Sequence, residues 1–427
     1  MTFYKETDFQ DFIIGRISED WNIERLQDVL VLLKNGLTVK QNKEGNGYPI
    51  TRIETISQER IDSDRIGYSP EISERDVEEY KLIKGDILFS HINSLAHIGK
   101  TALYEGTPEL LLHGMNLLLL RPNKEKIHPE YLLYILKLLK IRNVFWSMSK
   151  KAVNQASINQ TELGRLRIPV PSVEEQRAVV GVLGVVDSAI GLVDKVIWKT
   201  ERLKKGLMQT LLTKGIGHTE YKDTPIGKTP IEWKLEKIRD VCEVVTGGTP
   251  STKHPEYFGG NIKWLKSGDI KQLYIYDTTE KITQLGIENS NAKIHPTDSV
   301  AIALSGRGQT RGRTTIIKVP MACSQSVAFM IPSSEIVAEY LHYNLSNRYM
   351  EIRNLTGHLD RSGLNLSIVS EIQIPVPSLT EQQKIVSILV TVDNKLDLER
   401  KEKDKLERLK RGLMGLLLTG KVRIKVD

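Results

Sequence analysis

The segment Ser305-Gly306-Arg307-Gly308-Gln309-Thr310-Arg311-Gly312-Arg313-Thr314 packs three arginines and a glutamine among small residues. An arginine guanidinium can bridge the O6 and N7 acceptors of guanine, and a glutamine amide can pair with N6 and N7 of adenine. Interspersed glycines let the backbone come close to a phosphate. This is chemistry for reading base edges, with a solvated polar loop as the ordinary alternative. The first half offers a counterpart in Ser90–Lys100, which is less basic and presents Asn93, Ser94 and His97. A second candidate surface is Lys150, Lys151, Asn154 and Gln155, matched later in the chain by His358 and Arg361. The two loops differ in their polar side chains, so the halves are expected to read different sequences.

Bond-making chemistry finds less support. Cys242 and Cys323 show no CxxC spacing, and none of the nine histidines forms an HExxH pair. A zinc site or disulfide framework is therefore not expected, and the metal expectation is none. No N-P-P-[FY] amino-methyltransferase signature occurs. Gly99-Lys100-Thr101 and Gly227-Lys228-Thr229 resemble the end of a P-loop, but Ser94 and Lys222 stand where its first glycine belongs. Gly306-x-Gly308-x-x-x-Gly312 precedes the β-branched run TTIIKV, which predicts a hairpin tip and not a dinucleotide loop. No catalytic residues are assigned.

Composition sets the frame. The 427 residues are 40% apolar and carry a formal charge of +7, enough for several cores and compatible with an anionic partner. The opening MTFYKETDFQDF is too charged for a signal peptide, and no stretch of about 18 apolar residues occurs, so a cytoplasmic chain is expected.

The elements that would position these loops are written twice. Residues 168–213 and 374–419 align without a gap, and 24 of 46 positions are identical. Weaker matches precede each block: Ile14-Gly15 to Trp21 against Ile226-Gly227 to Trp233, Asp86 against Asp298, and Tyr131-Leu132 against Tyr340-Leu341. The first half has Asn35-Gly36-Leu37-Thr38 where the second has Gly247-Gly-Thr-Pro-Ser251, which leaves those loops doubtful equivalents. The plan reads as 1–167 globular, 168–215 helical, 216–373 globular and 374–427 helical.

Both repeated blocks predict long helices. Pro169 and Pro171 hold the approach extended. Ser172-x-x-Glu175 and Ser378-x-x-Glu381 read as capping boxes. Val179, Leu183, Val186, Ile190, Val193 and Ile197 step by four and three, the spacing of a coiled-coil seam. The second copy begins with Ile385, Leu389, Val392 and Leu396, meets Glu399 and Lys403, and resumes at Leu406, Leu409 and Leu413. Gly215 and Gly420 mark the ends, and about 40 residues would span roughly 60 Å. If a pseudo-twofold axis relates the halves, the helices pair antiparallel. The globular halves alternate short β-like runs with helical stretches, so the fold class is α+β: two mixed α/β domains separated by two long helices.

A P-x-P-S-x-x-E-Q block ahead of a long helix, twice per chain, resembles the conserved regions of type I restriction-modification specificity subunits. The Ile-Gly…Trp openings, the GGTPS stretch and the endings LKKGLMQTLLTKG and LKRGLMGLLLTGK extend the resemblance over essentially the whole chain. It implies that each globular half is a target-recognition domain for one part of a bipartite double-stranded DNA site. It implies that the paired helices act as spacer and dock two methyltransferase subunits, with motor-nuclease subunits joining. The chain itself would be non-catalytic and hold no cofactor; S-adenosylmethionine, ATP and Mg would sit on the partners. Trp198, Leu207, Met208, Leu413 and Met414, in segments alike in both copies, would help bind those partners. Two rivals stay open: a free-standing coiled-coil DNA-binding protein, and an enzyme whose active site the sequence does not disclose.

Overall fold

The computed structural model describes residues 2–152, 155–306, 308–356 and 363–425. The chain divides into two compact units, Met1–Asp194 with Glu402–Asp427, and Lys195–Lys401. Each unit joins one globular half to stretches of both long helices, Val173–Leu211 and Leu379–Leu417.

In unit 1 an antiparallel sheet runs in the order Thr101–Leu103, Ile87–Ser90, Leu117–Pro122, Leu30–Asn35. Its central strands are apolar without interruption over residues 87–89 and 117–120 because both faces are covered there. Ile87, Phe89, Leu118 and Leu120 face one core, together with Tyr131, Leu132 and Ile135 of the helix Pro129–Ile141. Leu88, Leu117, Leu119 and Ala102 face the other, with Tyr104 and Ile56. The two-residue period of a strand does this sorting.

Unit 2 repeats the arrangement. Cys242–Thr246, Val327–Pro332, Val300–Ala303 and Thr314–Ile317 lie in the corresponding order, and Tyr274–Ile275 adds a fifth, parallel strand. Val300, Ile302, Ala328 and Met330 pack with Tyr340, Leu341 and Tyr343 of the helix Ala338–Asn347. Ala301, Ala303 and Phe329 face a second core. A further four-stranded sheet, built on Phe258–Leu265, belongs to this unit. Gly36 and Gly247 each follow the corresponding strand, and a Cβ on either would stand 1.9 Å from a carbonyl oxygen, that of Gly114 or Cys323. The doubtful loops thus begin at equivalent places.

The helix starts are half as expected. Ser172 and Ser378 accept the amides of Glu175 and Glu381 at 3.2 and 3.3 Å. The glutamates do not reach back. Glu175 instead takes Arg423 in two bonds of 3.0 Å, and Glu381 takes His218, the Trp233 indole and the Ile216 amide. A charged or ring donor offers a carboxylate more than a solvated helix amide does. With Glu6 and Asp20 also on Arg423, the Glu6 carboxyl falls to about 2, chiefly through its bond to that guanidinium.

Val179, Leu183, Val186, Ile385, Leu389 and Leu396 are buried as the seams predict. Leu409 is a correction: it is 51% exposed, and Lys410 turns inward in its place. Within unit 1 Asp187 pairs with Lys410 at 2.5 Å and Asp194 with Lys403 at 2.6 Å, so the two helix stretches run antiparallel there. Within unit 2 Glu201 pairs with Arg400 at 2.7 Å and Lys204 with Asp393 at 2.5 Å, in the same sense. Among the described residues no helix is long and apolar enough to cross a membrane.

Candidate nucleic-acid interface

The arginine-rich segment is a hairpin tip, joining the antiparallel strands Val300–Ala303 and Thr314–Ile317 of unit 2. Its base is closed by Ala303 N to Arg313 O and Gly312 N to Ala303 O, both 2.9 Å. Gly306, Gly308 and Gly312 all have positive φ, which glycine alone adopts without strain. Ser305 and Gln309 are exposed, and Arg311 and Arg313 half-buried. Arg313 donates to the Gln309 side chain at 3.2 Å, while the Tyr349 hydroxyl donates to the Gln309 carbonyl at 2.7 Å. Arg307 lies outside the described residues.

Beside this tip opens a cleft of about 790 Å³, lined among others by Lys271, Gln272, Tyr276, Gln309, Arg313 and Tyr349. Lys271, Gln272 and Tyr276 are exposed and were not singled out from the sequence. They reach the tip because Ile316 N and the Thr315 hydroxyl donate to Leu273 O, at 2.8 and 3.2 Å. No local sequence signal marks a parallel pairing between residues 42 positions apart, Tyr274 with Ile316.

In unit 1 the structure brings two separately proposed surfaces together. Ile92–Asn93 pairs with Gln155–Ser157, which pairs with Lys150–Ala152, giving one three-stranded sheet. Asn93 lies in line with Lys151 across this sheet, through Ala156, while Lys150 and Gln155 stand on the same strands facing the other side and Ser94 follows Asn93 directly. His97, Lys150, Lys151 and Gln155 are exposed, and Asn93 and Ser94 half-exposed. Asn93 donates to the Ser90 hydroxyl at 3.1 Å and accepts the Ser94 amide at 2.8 Å, which orients its amide group. The Lys151 ammonium sits 3.5 Å from the centroid of the half-exposed Trp146 ring. Burial, with Lys100 and Lys140 nearby, lowers the His97 pKa and favours the neutral ring. Asn154, His358 and Arg361 lie outside the described residues. The neighbouring Gly363 approaches the unit 2 tip closely, since Leu364 N donates to Leu304 O at 2.7 Å.

The partner-binding candidates separate by burial. Trp198 is 54% exposed, with the Arg202 guanidinium 4.7 Å from its ring centroid. Met414 is 2% exposed and belongs to the core of unit 1, where Leu413 packs against it. Leu207 and Met208 pack on the core of unit 2. These four face inward because the helix ends close the cores beneath Leu212 and Leu418. The apolar side chains left outward nearby are Leu203, Leu409 and Leu416.

A family model described as the type I restriction modification DNA specificity domain matches residues 18–200 and 230–408. A putative type I restriction enzyme specificity subunit of Methanocaldococcus jannaschii is 41% identical over 429 residues, covering 100% of this chain and 99% of the relative. A second specificity subunit of that organism is 27% identical, over 100% and 98% of the two chains. In fold the chain is similar to the crystal structure of a type I restriction-modification S subunit from M. genitalium, with TM-score 0.58, 15% identity and coverage of 96% and 97%. A chain from a study of complex assembly in a type I system gives TM-score 0.56 at 16% identity, over 95% and 99%. With both halves matched by one family model and a relative aligned end to end, the chain belongs to the type I restriction-modification specificity subunits, the non-catalytic members of these systems that confer DNA sequence specificity.

Proposed function

We propose that each unit reads one half of a bipartite double-stranded DNA site, unit 2 through the tip at 305–314 and unit 1 through the three-stranded sheet that carries Asn93, Lys150, Lys151 and Gln155, with Ser94 and His97 on the loop that follows Asn93. The observation that carries this reading is positional. In both units a candidate loop, carrying Asn93, Ser94 and His97 in unit 1 and Ser305 to Arg313 in unit 2, sits on the connection between corresponding strands of corresponding sheets, yet the chemistry of the two loops differs. One scaffold with two unlike tips is what independent recognition of two half-sites requires. Arg311→Ala and Arg313→Ala are expected to relax base preference in one half-site only, each lost base contact costing about 1–3 kcal/mol. Methylome sequencing of cells carrying the variants measures this. Equal relaxation of both half-sites, or a uniform loss of affinity, would make the tip a phosphate clamp.

The chain in this reading docks two methyltransferase subunits, which bring S-adenosylmethionine, and motor-nuclease subunits, which bring ATP and Mg. Exposed apolar side chains on the helices favour docking there, Trp198 and Leu203 in unit 2 and Leu409 and Leu416 in unit 1. Trp198→Asp with Leu203→Asp should weaken co-purification of the methyltransferase subunit at least tenfold, since desolvated aromatic anchors dominate such contacts. The melting profile should stay that of the wild type, because neither side chain is in a core. Leu207→Asp would instead damage the unit 2 core and says nothing about docking. Undiminished co-purification of the double variant would remove this surface from consideration.

A further inference from the structure

Where the recognition surfaces diverge, the attachments beneath them are duplicated. In unit 1 the Tyr134 hydroxyl, on the helix Pro129–Ile141, donates to Asp187 of the first long helix at 2.6 Å. Lys410 of the second long helix reaches the other oxygen of that carboxylate at 2.5 Å. In unit 2 the Tyr343 hydroxyl, on the helix Ala338–Asn347, donates to Asp393 of the second long helix at 2.7 Å, and Lys204 of the first reaches its other oxygen at 2.5 Å. The two lysine ammoniums lie 5.3 and 5.5 Å from the centroids of the respective tyrosine rings. Each carboxylate is a single point where three helices meet.

A second attachment accompanies each. Tyr131 and Tyr340 donate to the carbonyls of Pro169 and Pro375, at 3.3 and 2.9 Å. Gln176 and Gln382 are fully buried and bonded alike. Their amides donate to Pro171 and Pro377, and their oxygens accept His128 N and Val337 N, at distances of 2.7 to 3.0 Å. Asp187 lies 11 residues beyond Gln176, and Asp393 lies 11 beyond Gln382, about 16 Å along a helix. One attachment fixes a place; a second, 16 Å away, fixes an angle. Apolar packing between the same elements is non-directional and does not set that angle by itself, whereas charge-assisted hydrogen bonds do. Burial and the neighbouring aspartate hold both tyrosine hydroxyls far above their usual pKa, so they remain donors.

We propose that Asp187 and Asp393 are positioning residues that fix the angle of each recognition domain on the helices beneath it, and thereby set how strictly the spacing between half-sites is enforced. The spacing half of the proposal rests on the bipartite reading above. The joint is tested on the full chain without DNA. Spin labels on Glu105→Cys and Ser188→Cys, both exposed, report the recognition domain against the first long helix in unit 1, while the native Cys242 and Cys323 are buried and stay unlabelled. Asp187→Asn should broaden the distance distribution. Tyr134→Phe should do so with minimal change of shape, and Lys410→Arg should restrict it as the wild type does. An unchanged distribution in Tyr134→Phe overturns the joint.

Spacing is then read on the chain assembled with its methyltransferase subunit. DNA carrying the wild-type motif is compared with the same motif one base pair shorter or longer. Discrimination against the altered spacers should fall roughly tenfold in Asp187→Asn, equivalent to about 1.4 kcal/mol, with base preference in each half-site unchanged. Broadened distances with unaltered discrimination would overturn the link to spacing. A wild-type motif in one continuous block would overturn the bipartite reading, and the spacing half with it, while the distance measurement still judges the joint.

Discussion

The purified chain will transfer no methyl group to DNA, and site-specific transfer will appear when the modification subunit of its own system is added. The expected contrast is all or none. Methyl transfer to a base requires a held donor and a group of suitable basicity beside the acceptor. The chain has no N-P-P-[FY] signature. Its buried polar groups are also tuned away from such work. Burial pushes both thiols, Cys242 and Cys323, up to about 12, far from a thiolate at neutral pH. Burial pushes His342 down to about 3 and His91 and His113 to about 4, so these rings stay neutral and take up no further proton near pH 7. Incorporation of labelled methyl from S-adenosylmethionine measures the outcome. Label transferred by the chain alone, after its partners have been stripped away, would restore the reading of an enzyme with an unfamiliar site.

Replacing Gly247 by alanine will unfold much of unit 2, and replacing Gly36 will do the same to unit 1. The new Cβ at 247 would stand 1.9 Å from the Cys323 oxygen and 2.8 Å from its carbonyl carbon. That obstacle is backbone, held in the sheet by the pairing of Phe258–Leu265 with Met321–Cys323, and it cannot rotate aside as a side chain would. Gly36 faces the same difficulty against Gly114, with the oxygen at 1.9 Å. Overpacking against fixed backbone belongs to the largest class of point-mutant effects, about 4 kcal/mol or more. Gly184 and Gly206, in the long helix, provide the opposite case: a Cβ there meets nothing within 4 Å. Alanine at either should stabilise by roughly 0.5–1 kcal/mol. Two units need not melt together, so amide exchange of Met321–Cys323 and of Leu117–Pro122 is the better measurement. Gly247→Ala with wild-type protection would mean that the strand yields, and the close approach would lose its importance.

Much of the architecture is legible in the sequence. The blocks at 168–213 and 374–419, identical at 24 of 46 positions, state the duplication, because preserved helix seams need the same apolar spacing wherever they occur. The hairpin at 305–314 was readable from its glycines and the β-branched run that follows, both local consequences of backbone sterics. What the sequence could not carry were outcomes of competition between distant groups. Glu175 has the spacing of a capping residue, yet Arg423, 248 positions away, takes its carboxylate. Leu409 has the residue type of a seam position, yet Lys410 turns inward because Asp187 and the Tyr134 ring await it there. Met414 looks like a docking side chain from its recurrence, and only the fold places it in a core. The surface uniting Asn93 with Lys151 likewise exists only once residues 92–93 and 155–157 pair as strands. Periodicity and turn chemistry are local and survive in a linear text. The choice of partner for a charge, and of the side that each apolar residue faces, is made by packing between segments hundreds of residues apart, which no local spacing encodes.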